Sequence, residues 1–270
     1  MNRSDTGFMG CMEQDRCMEF CRSIIEGVEI KLCRNDSHAY KHHIHNELSL
    51  GYILEGSTDL TLNDRIIRYE SGNGVIIPPL MTHRCAPKEI DHWAYVMLFI
   101  DPGYYGNLIS FHRAEKLTGN QASQLIGFIQ QLEREQCPDA MENILIELLL
   151  EFGGNGGAEA SVSEDGDAVR TVHDYILNHV NDEITLDHLV QISGLNKFSL
   201  IRNFKKQYVT TPSAYHLQHR VAEAKRLLGK GADVFEVCDR LRFYDQAHLI
   251  HEFKKMYGVT PGTYIEQMKA

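Results

Sequence analysis

The strongest constraint on this chain is an internal repeat. The segment LIRNFKKQYVTTPSAY, from Leu200 to Tyr215, recurs at an offset of 49 residues as LIHEFKKMYGVTPGTY, from Leu249 to Tyr264, and nine of the sixteen positions are identical. Self-similarity at that period means that one supersecondary unit is built twice. What precedes each copy identifies the unit. Thr185 is placed to cap a short helix, TLDHLVQI, whose Leu186, Leu189 and Val190 face inward. Ser193, Gly194, Leu195 and Asn196 then form a tight turn, and a second helix starts at Lys197. In the second copy VFEVCDRL is the first helix, Arg242-Phe243-Tyr244-Asp245 is the turn, and a helix from Gln246 to Tyr257 follows. Helix, tight turn, helix is the helix-turn-helix arrangement.

At about 100° per residue, Leu200 and Phe204 share one face of the first copy's second helix, as Leu249 and Phe253 do in the second copy. That face is core. The opposite face carries Phe198, Arg202 and Lys205 in one copy and Ala247, His251 and Lys254 in the other. Such groups suit the major groove: Arg grips a guanine edge, Phe or Ala meets a thymine methyl, and Lys neutralises phosphate. A single basic helix face is ordinarily just solvated. Two of them in a duplicated helix-turn-helix point instead to DNA.

A net charge of −10 is unpromising for binding a polyanion. Its distribution removes the conflict. From Ala168 onward there are 14 Lys and Arg against 11 Asp and Glu, whereas the preceding residues hold 13 against 26. The acidic excess therefore belongs to a separate N-terminal half, and 270 residues have room for two domains of about 100–200 residues each. Between Glu151 and Val169 the sequence EFGGNGGAEASVSEDGDAV reads as a flexible linker. No apolar run approaches the roughly 18 residues of a membrane span, and the N-terminus lacks a signal peptide's apolar core, so a cytoplasmic protein with no membrane contact is expected. Seven scattered cysteines fit reduced thiols better than a disulfide framework.

In the acidic half, VEIKLC, ELSLGYIL, TDLTL, RIIRYE, GVIIPP and WAYVMLFI are short, β-rich and punctuated by turn residues, which predicts a small sandwich or barrel. Two helices follow, from Gln124 to Glu135 and from Ala140 to Phe152, broken at Cys137-Pro138-Asp139. The stripe Ile144, Leu145, Leu148, Leu149 and Phe152 fits either packing against its own domain or a shared dimer interface.

Residues 170 to 270 resemble the AraC/XylS family of bacterial transcription regulators, on ITLDHLVQISGLNKFSLIRNFKKQYVTTPSAYHLQHRVAEAKRLL and VFEVCDRLRFYDQAHLIHEFKKMYGVTPGTY. The resemblance implies two helix-turn-helix units on a joining helix, here from Ser213 to Leu228, set to enter successive major grooves about 34 Å apart. It places base-reading residues at Phe198, Ile201 and Arg202 and at Gln246, Ala247, Ile250 and His251; Lys197, Lys205 and Lys254 complete the expected DNA contacts. Two departures matter: Arg242 stands where the family has Gly, and His251, followed by Glu252, stands where it has Arg. The first unit is therefore expected to dominate affinity.

HHIHNELSLGYILEG and YESGNGVIIPPLMTH resemble the cupin-type sensor barrel that precedes such DNA-binding domains. The implied effector pocket comprises His43, His45, Glu47, His83, Trp93 and Tyr95. Period-two alternation puts His43, His45 and Glu47 on one strand face, which with His83, and Cys85 nearby, leaves room for a divalent transition metal; a polar small molecule or a purely structural pocket are the other readings. The spacing departs from the barrel's metal motif, since only Asn46 separates His45 from Glu47.

The expected architecture is multidomain α and β: a tail (1–21), a cupin-like β-barrel (22–112), a helical dimerisation segment (113–152), a linker (153–167), and an all-α DNA-binding domain (168–270). The expected function is a ligand-responsive regulator and not an enzyme, no nucleophile elbow, phosphate loop or dinucleotide fingerprint being present. A metal-responsive regulator, a metal-dependent cupin enzyme and an architectural DNA-binding protein are the alternatives. Expected partners are double-stranded DNA, a small-molecule effector, a second copy of the chain and, for an activator, RNA polymerase.

Overall fold

Alternating apolar residues build nine antiparallel strands in the N-terminal half of the computed structural model, which describes residues 15–36, 38, 40–62, 65–106, 109–135, 137–153 and 164–269. The strands are β1 (Cys17–Arg22), β2 (Val28–Arg34), β3 (Leu48–Glu55), β4 (Ser57–Leu62), β5 (Arg65–Glu70), β6 (Gly74–Ile77), β7 (His83–Pro87) and β8 (Ala94–Ile100), then a short helix α1 (Pro102–Tyr105), and β9 (Glu115–Leu117). Two sheets result, one ordered β1-β2-β8-β3-β6-β9 and one ordered β5-β4-β7. The central strand β8 shows why its sequence is apolar throughout rather than alternating. Val96, Leu98 and Ile100 join the core under the flanking helices, while Tyr95, Met97 and Phe99 face a cavity between the sheets.

The helices α2 (Gly119–Arg134) and α3 (Pro138–Gly153) cover the outer face of the larger sheet. Leu145, Leu148, Leu149 and Phe152 are buried there with Leu125, Phe128 and Ile129, so the apolar stripe is spent on its own domain. Ile144 packs at the edge of the same core. β1 lies within the stretch read as a tail: Phe20 is fully buried, and Cys17 to Arg22 pair in register with β2. Cys17 is disulfide-bonded, against the expectation of thiols throughout; Cys21, Cys33, Cys85, Cys137 and Cys238 remain thiols. Of the expected linker, residues 154–163 lie outside the described residues, as do residues 1–14 of the tail.

The second half is helical: α4 (Glu164–Asn178), α5 (Leu186–Ser193), α6 (Lys197–Tyr208), α7 (Pro212–Gly229), α8 (Val234–Arg240), α9 (Gln246–Tyr257) and α10 (Pro261–Lys269). Side-chain caps set the starts of five of them. Thr185 accepts from the His188 amide, Asn196 from Ser199, Thr211 from Ala214, Asp233 from Phe235 and Asp245 from His248. Each cap satisfies an amide that the first helical turn leaves without a partner, at a worth of about 1 kcal/mol. Pro212 sits at the first position of α7, where a missing N–H costs nothing.

The halves pack on one another. Phe20, Ile44 and Phe99 of the barrel enter the same core as Tyr215, Val221, Ala224, Phe253 and Tyr264 of the helical domain. Arg22 donates to the Gly229 and Met268 carbonyls at 2.7 and 3.0 Å, and Gln218 donates to the His42 carbonyl at 3.0 Å. At the centre, Lys225 of α7 is 2% exposed and pairs with Glu29 at 2.6 Å and Glu47 at 2.8 Å. The Tyr264 hydroxyl donates to Glu29 at 2.6 Å.

Candidate nucleic-acid interface and effector cavity

Leu200 and Phe204 of α6, and Leu249 and Phe253 of α9, are completely buried, as the helical periodicity requires. Their partners in the proposed DNA face point outward. Lys197, Phe198, Arg202 and Lys205 on α6 are exposed, as are Gln246, Ala247, Ile250, His251 and Lys254 on α9; Ile201 is half-buried. Phe198 is 84% exposed, an unfavourable place for a phenyl ring without a partner. The two faces are chemically unequal. Glu252 follows His251, lies 3.7 Å from its Nε2 and pairs with Lys255 at 2.7 Å, so acidic charge stands inside the second face. Tyr244, 92% exposed just ahead of the α9 cap, is not among the expected contacts because it belongs to the turn and not to the helix.

The cavity between the sheets has an open volume of about 60 Å³. His43, His45, His83, Trp93 and Tyr95, all expected in the pocket, line it, and so does Cys85. Glu47 does not: its carboxylate turns away to Lys225. The period-two extrapolation from His43 to Glu47 breaks because this segment forms only an isolated bridge at His43 and a bend at Asn46 and Glu47, with β3 beginning one residue later.

The three imidazoles bring donor atoms within 4.8 Å of one another. His43 Nδ1 donates to the Lys41 carbonyl at 2.8 Å and His83 Nδ1 to the Met81 carbonyl at 2.9 Å. A carbonyl only accepts, so both rings carry their proton on Nδ1 and leave Nε2 as a lone-pair donor. His45 Nδ1 is buried without a partner. Burial holds His43 and His45 well below the ordinary imidazole range and pushes His83 down to about 4, which leaves all three neutral near pH 7. Three neutral imidazoles fit part of a transition-metal shell, though Zn–N bonds of about 2.0–2.1 Å would require them to draw closer. The fourth, carboxylate ligand is lacking with Glu47 engaged elsewhere.

Sequence reading missed Lys31 and Tyr40. Lys31 reaches into the cavity from β2, donating to the Tyr40 hydroxyl at 2.7 Å and to the Tyr257 carbonyl of α9 at 3.2 Å. Burial pushes its ammonium down to about 8. The signal was a lone Lys at the centre of VEIKLC, on the strand face opposite Ile30 and Leu32.

Comparison with known proteins agrees with these features. Residues 27–160 match the family described as the AraC-like ligand binding domain, and residues 189–267 match a helix-turn-helix domain. The HTH-type transcriptional regulator YbfI of Bacillus subtilis is 24% identical over 226 residues, 78% of this chain and 81% of that protein. The MmsAB operon regulatory protein of Pseudomonas aeruginosa is 24% identical over 252 residues, 87% of this chain and 80% of the relative. Among solved structures, ToxT of Vibrio cholerae O395 superimposes with a TM-score of 0.62 at 10% identity, covering 91% of this chain and 99% of ToxT. A second ToxT structure, with an unsaturated fatty acid bound, gives 0.58 at 11% identity, covering 94% and 98%. At such identities the likeness is one of fold.

Proposed function

The chain belongs to the AraC/XylS family of transcription regulators, with a ligand-binding domain ahead of its helix-turn-helix domain, and from that premise we propose that it binds specific DNA sequences through α6 and α9 and answers to a small effector in the barrel cavity. The observation that carries the reading is the pair of capped, structurally matched helices whose core faces are fully buried and whose basic faces are open. α7 joins the two units and orients both. Lys197, Phe198, Ile201, Arg202 and Lys205 enter one major groove, and Gln246, Ala247, Ile250, His251 and Lys254 the next. The protein works in the cytoplasm on double-stranded DNA, as a homodimer, and contacts RNA polymerase where it activates. It has no catalytic role. We keep the domain order read from the sequence and assign β1 and β9 to the barrel sheet with which they pair, and residues 164–167 of the expected linker to the helical half.

Selection of bound fragments from a genomic DNA pool tests this. Enriched sequences should share two blocks spaced about one helical turn, roughly 10 base pairs, apart. Enrichment of unrelated fragments with a purely salt-controlled affinity would exclude sequence-specific regulation.

A second reading, a metal-responsive regulator, is favoured by one feature: the Nδ1 hydrogen bonds that aim His43 and His83 at a common point near His45. A bound divalent transition metal would be held by His43, His45 and His83. Metal analysis of protein purified without a His-tag decides it, stoichiometric metal supporting this reading and traces removing it.

A further inference from the structure

We propose that the second helix-turn-helix unit reads a block of A·T pairs: Gln246 takes an adenine edge, Ala247 and Ile250 meet thymine methyls, and Tyr244 holds the DNA backbone beside them. This deepens the DNA-binding reading above, on which it rests, by naming the class of sequence that α9 accepts. Among the described residues seven large apolar side chains are exposed, and three of them, Phe198, Tyr244 and Ile250, stand on α6, on α9 or in the turn before α9. Ile250 is exposed where its counterpart Ile201 is half-buried. Apolar groups gathered on a working face require a partner that covers them. In duplex DNA the apolar group on display in the major groove is the thymine methyl.

The two units differ in the residues that reach bases first, which are those near the N-terminus of a recognition helix. In α6 they include Lys197, Phe198 and Arg202; in α9 Gln246, Ala247 and His251 stand at the same places, 49 residues on. A guanine edge is best gripped by Arg or Lys. α9 has neither before Lys254, which lies roughly 12 Å along the helix axis from Gln246 and serves phosphate. Cytosine requires an acceptor for its N4 amine. The two carboxylates nearby are engaged, since Asp245 accepts from the His248 amide at 2.7 Å and Glu252 pairs with Lys255 at 2.7 Å. What remains is a carboxamide, whose acceptor and donor match N6 and N7 of adenine, and two apolar groups for thymines. His251 bonds N7 of either purine, so it does not choose between A·T and G·C.

Tyr244 owes its place to the connection between the helices. Residues 194–196 separate α5 from α6 in the first unit, whereas the longer stretch 241–245 separates α8 from α9 in the second. In that longer connection Phe243 is buried and Tyr244 turns outward, while Leu195, at the position matching Tyr244, is half-buried against the core. A Tyr side chain joins an apolar ring to a donor hydroxyl, a combination suited to sugar and phosphate. Such a contact fixes the position of α9 on the duplex without selecting a base.

The test uses the chain with both halves, a random-sequence duplex pool and then the enriched site. Gln246→Ala identifies the block under α9 as the one whose base preference it relaxes, and that block should be A·T. Replacing its thymines by deoxyuridine, which removes only the methyls, should weaken binding about tenfold, from about three- to fourfold for each of two methyls. The loss should be equal at about 50 and about 200 mM salt, because no phosphate contact changes. Ile250→Ala should reduce the preference for thymine over uracil to about threefold, the share of Ala247, while the buried Leu249 and Phe253 keep the helix in place. Tyr244→Phe should weaken binding to all sequences alike, by about two- to tenfold, the value of one hydrogen bond. A G·C block under α9, relaxation of neither block by Gln246→Ala, or a loss under about twofold on uracil replacement would overturn the proposal and leave sequence-specific binding standing. A Tyr244→Phe protein that binds as the parent does strikes out the backbone contact. A pool that yields no enriched sequence overturns the regulator reading itself, and this inference with it.

Discussion

Val209 and Gly258 occupy one position of the repeat, and both close their helices in the left-handed region, at φ of 64° and 86°. A β-branched residue there is strained, at roughly 1–2 kcal/mol, whereas Gly is not. Val209→Gly should therefore raise stability by about 0.5–1 kcal/mol after the extra freedom of the unfolded chain is counted. The mirror change, Gly258→Ala, should cost about 1–2 kcal/mol from backbone strain, and it forces the Met18 thioether, in contact with this glycine, to move. Urea denaturation of both variants checks the opposite signs. At the DNA face, Arg202→Ala should lose affinity by about ten- to a hundredfold, the value of one good base contact. His251→Ala should lose under about threefold, because His251 has no permanent charge and sits beside Glu252. Equal losses at fixed salt would contradict the inequality. The sequence-based reading brought His43, His45 and His83 to one place because their types and spacing are local facts. Glu47 it misplaced, because its carboxylate pairs with Lys225, 178 residues away, which no local pattern shows.

Among the elements, α7 carries the most. It presents Tyr215, Val221, Ala224 and Leu228 to the core, and between them buries two imidazoles, His216 and His219, at 5% and 9% exposure. Burial pushes both from the ordinary 6.5 down to about 4, reinforced for His216 by Arg220 and opposed for His219 by Glu223. Above pH 6.5 both rings are neutral in either state and stability does not depend on them. As pH falls from 6.5 to 4 the unfolded chain takes up protons that the folded helix refuses, so stability is lost across that window. Thermal melts over this range should show a shallower fall for His216→Gln/His219→Gln than for the parent; parallel curves would mean that other groups control acid stability. Elements such as α7 were legible because 3.6-residue periodicity and capping residues are written locally, and β2 to β6 and β8 because apolar strands stand between turn residues. β1, β7 and β9 were not read. HRCAP has no alternation to show, EKL is three residues long, and CMEFCR shows its apolar character only against β2 and α10.

For the whole molecule, the decisive interaction joins residues that no local pattern connects. Glu29 and Glu47 come from the acidic half and Lys225 from the mildly basic one, so the charge asymmetry visible in the sequence is realised as an ion cluster between the halves. Lys225 also lies over the rings of Phe99 and Tyr257, at 4.7 and 5.6 Å. Phe99 is at once a wall of the effector cavity and part of this contact, and the His45 ring packs against it at 4.9 Å. Burial pushes the Glu29 carboxyl up, while Lys225, which burial alone would lower, is held charged by its two carboxylates. A buried ion cluster of this kind sets geometry more than it adds stability, since desolvation offsets most of the attraction, but it is intolerant of losing one member. Lys225→Met should therefore cost about 3–5 kcal/mol, leaving two carboxylates buried without their cation. Combining it with Glu29→Gln and Glu47→Gln removes the stranded charge and should bring the loss back to within about 1–2 kcal/mol. The chain with both halves is the right object, because the cluster exists only where they meet: in Lys225→Met, denaturation should split into two transitions as the barrel and the helical domain uncouple, and in the triple variant the transitions should move back together. A Lys225→Met protein that melts in one step at the parent's midpoint would show that the apolar contacts of Phe20, Ile44 and Phe99 hold the halves without the ions.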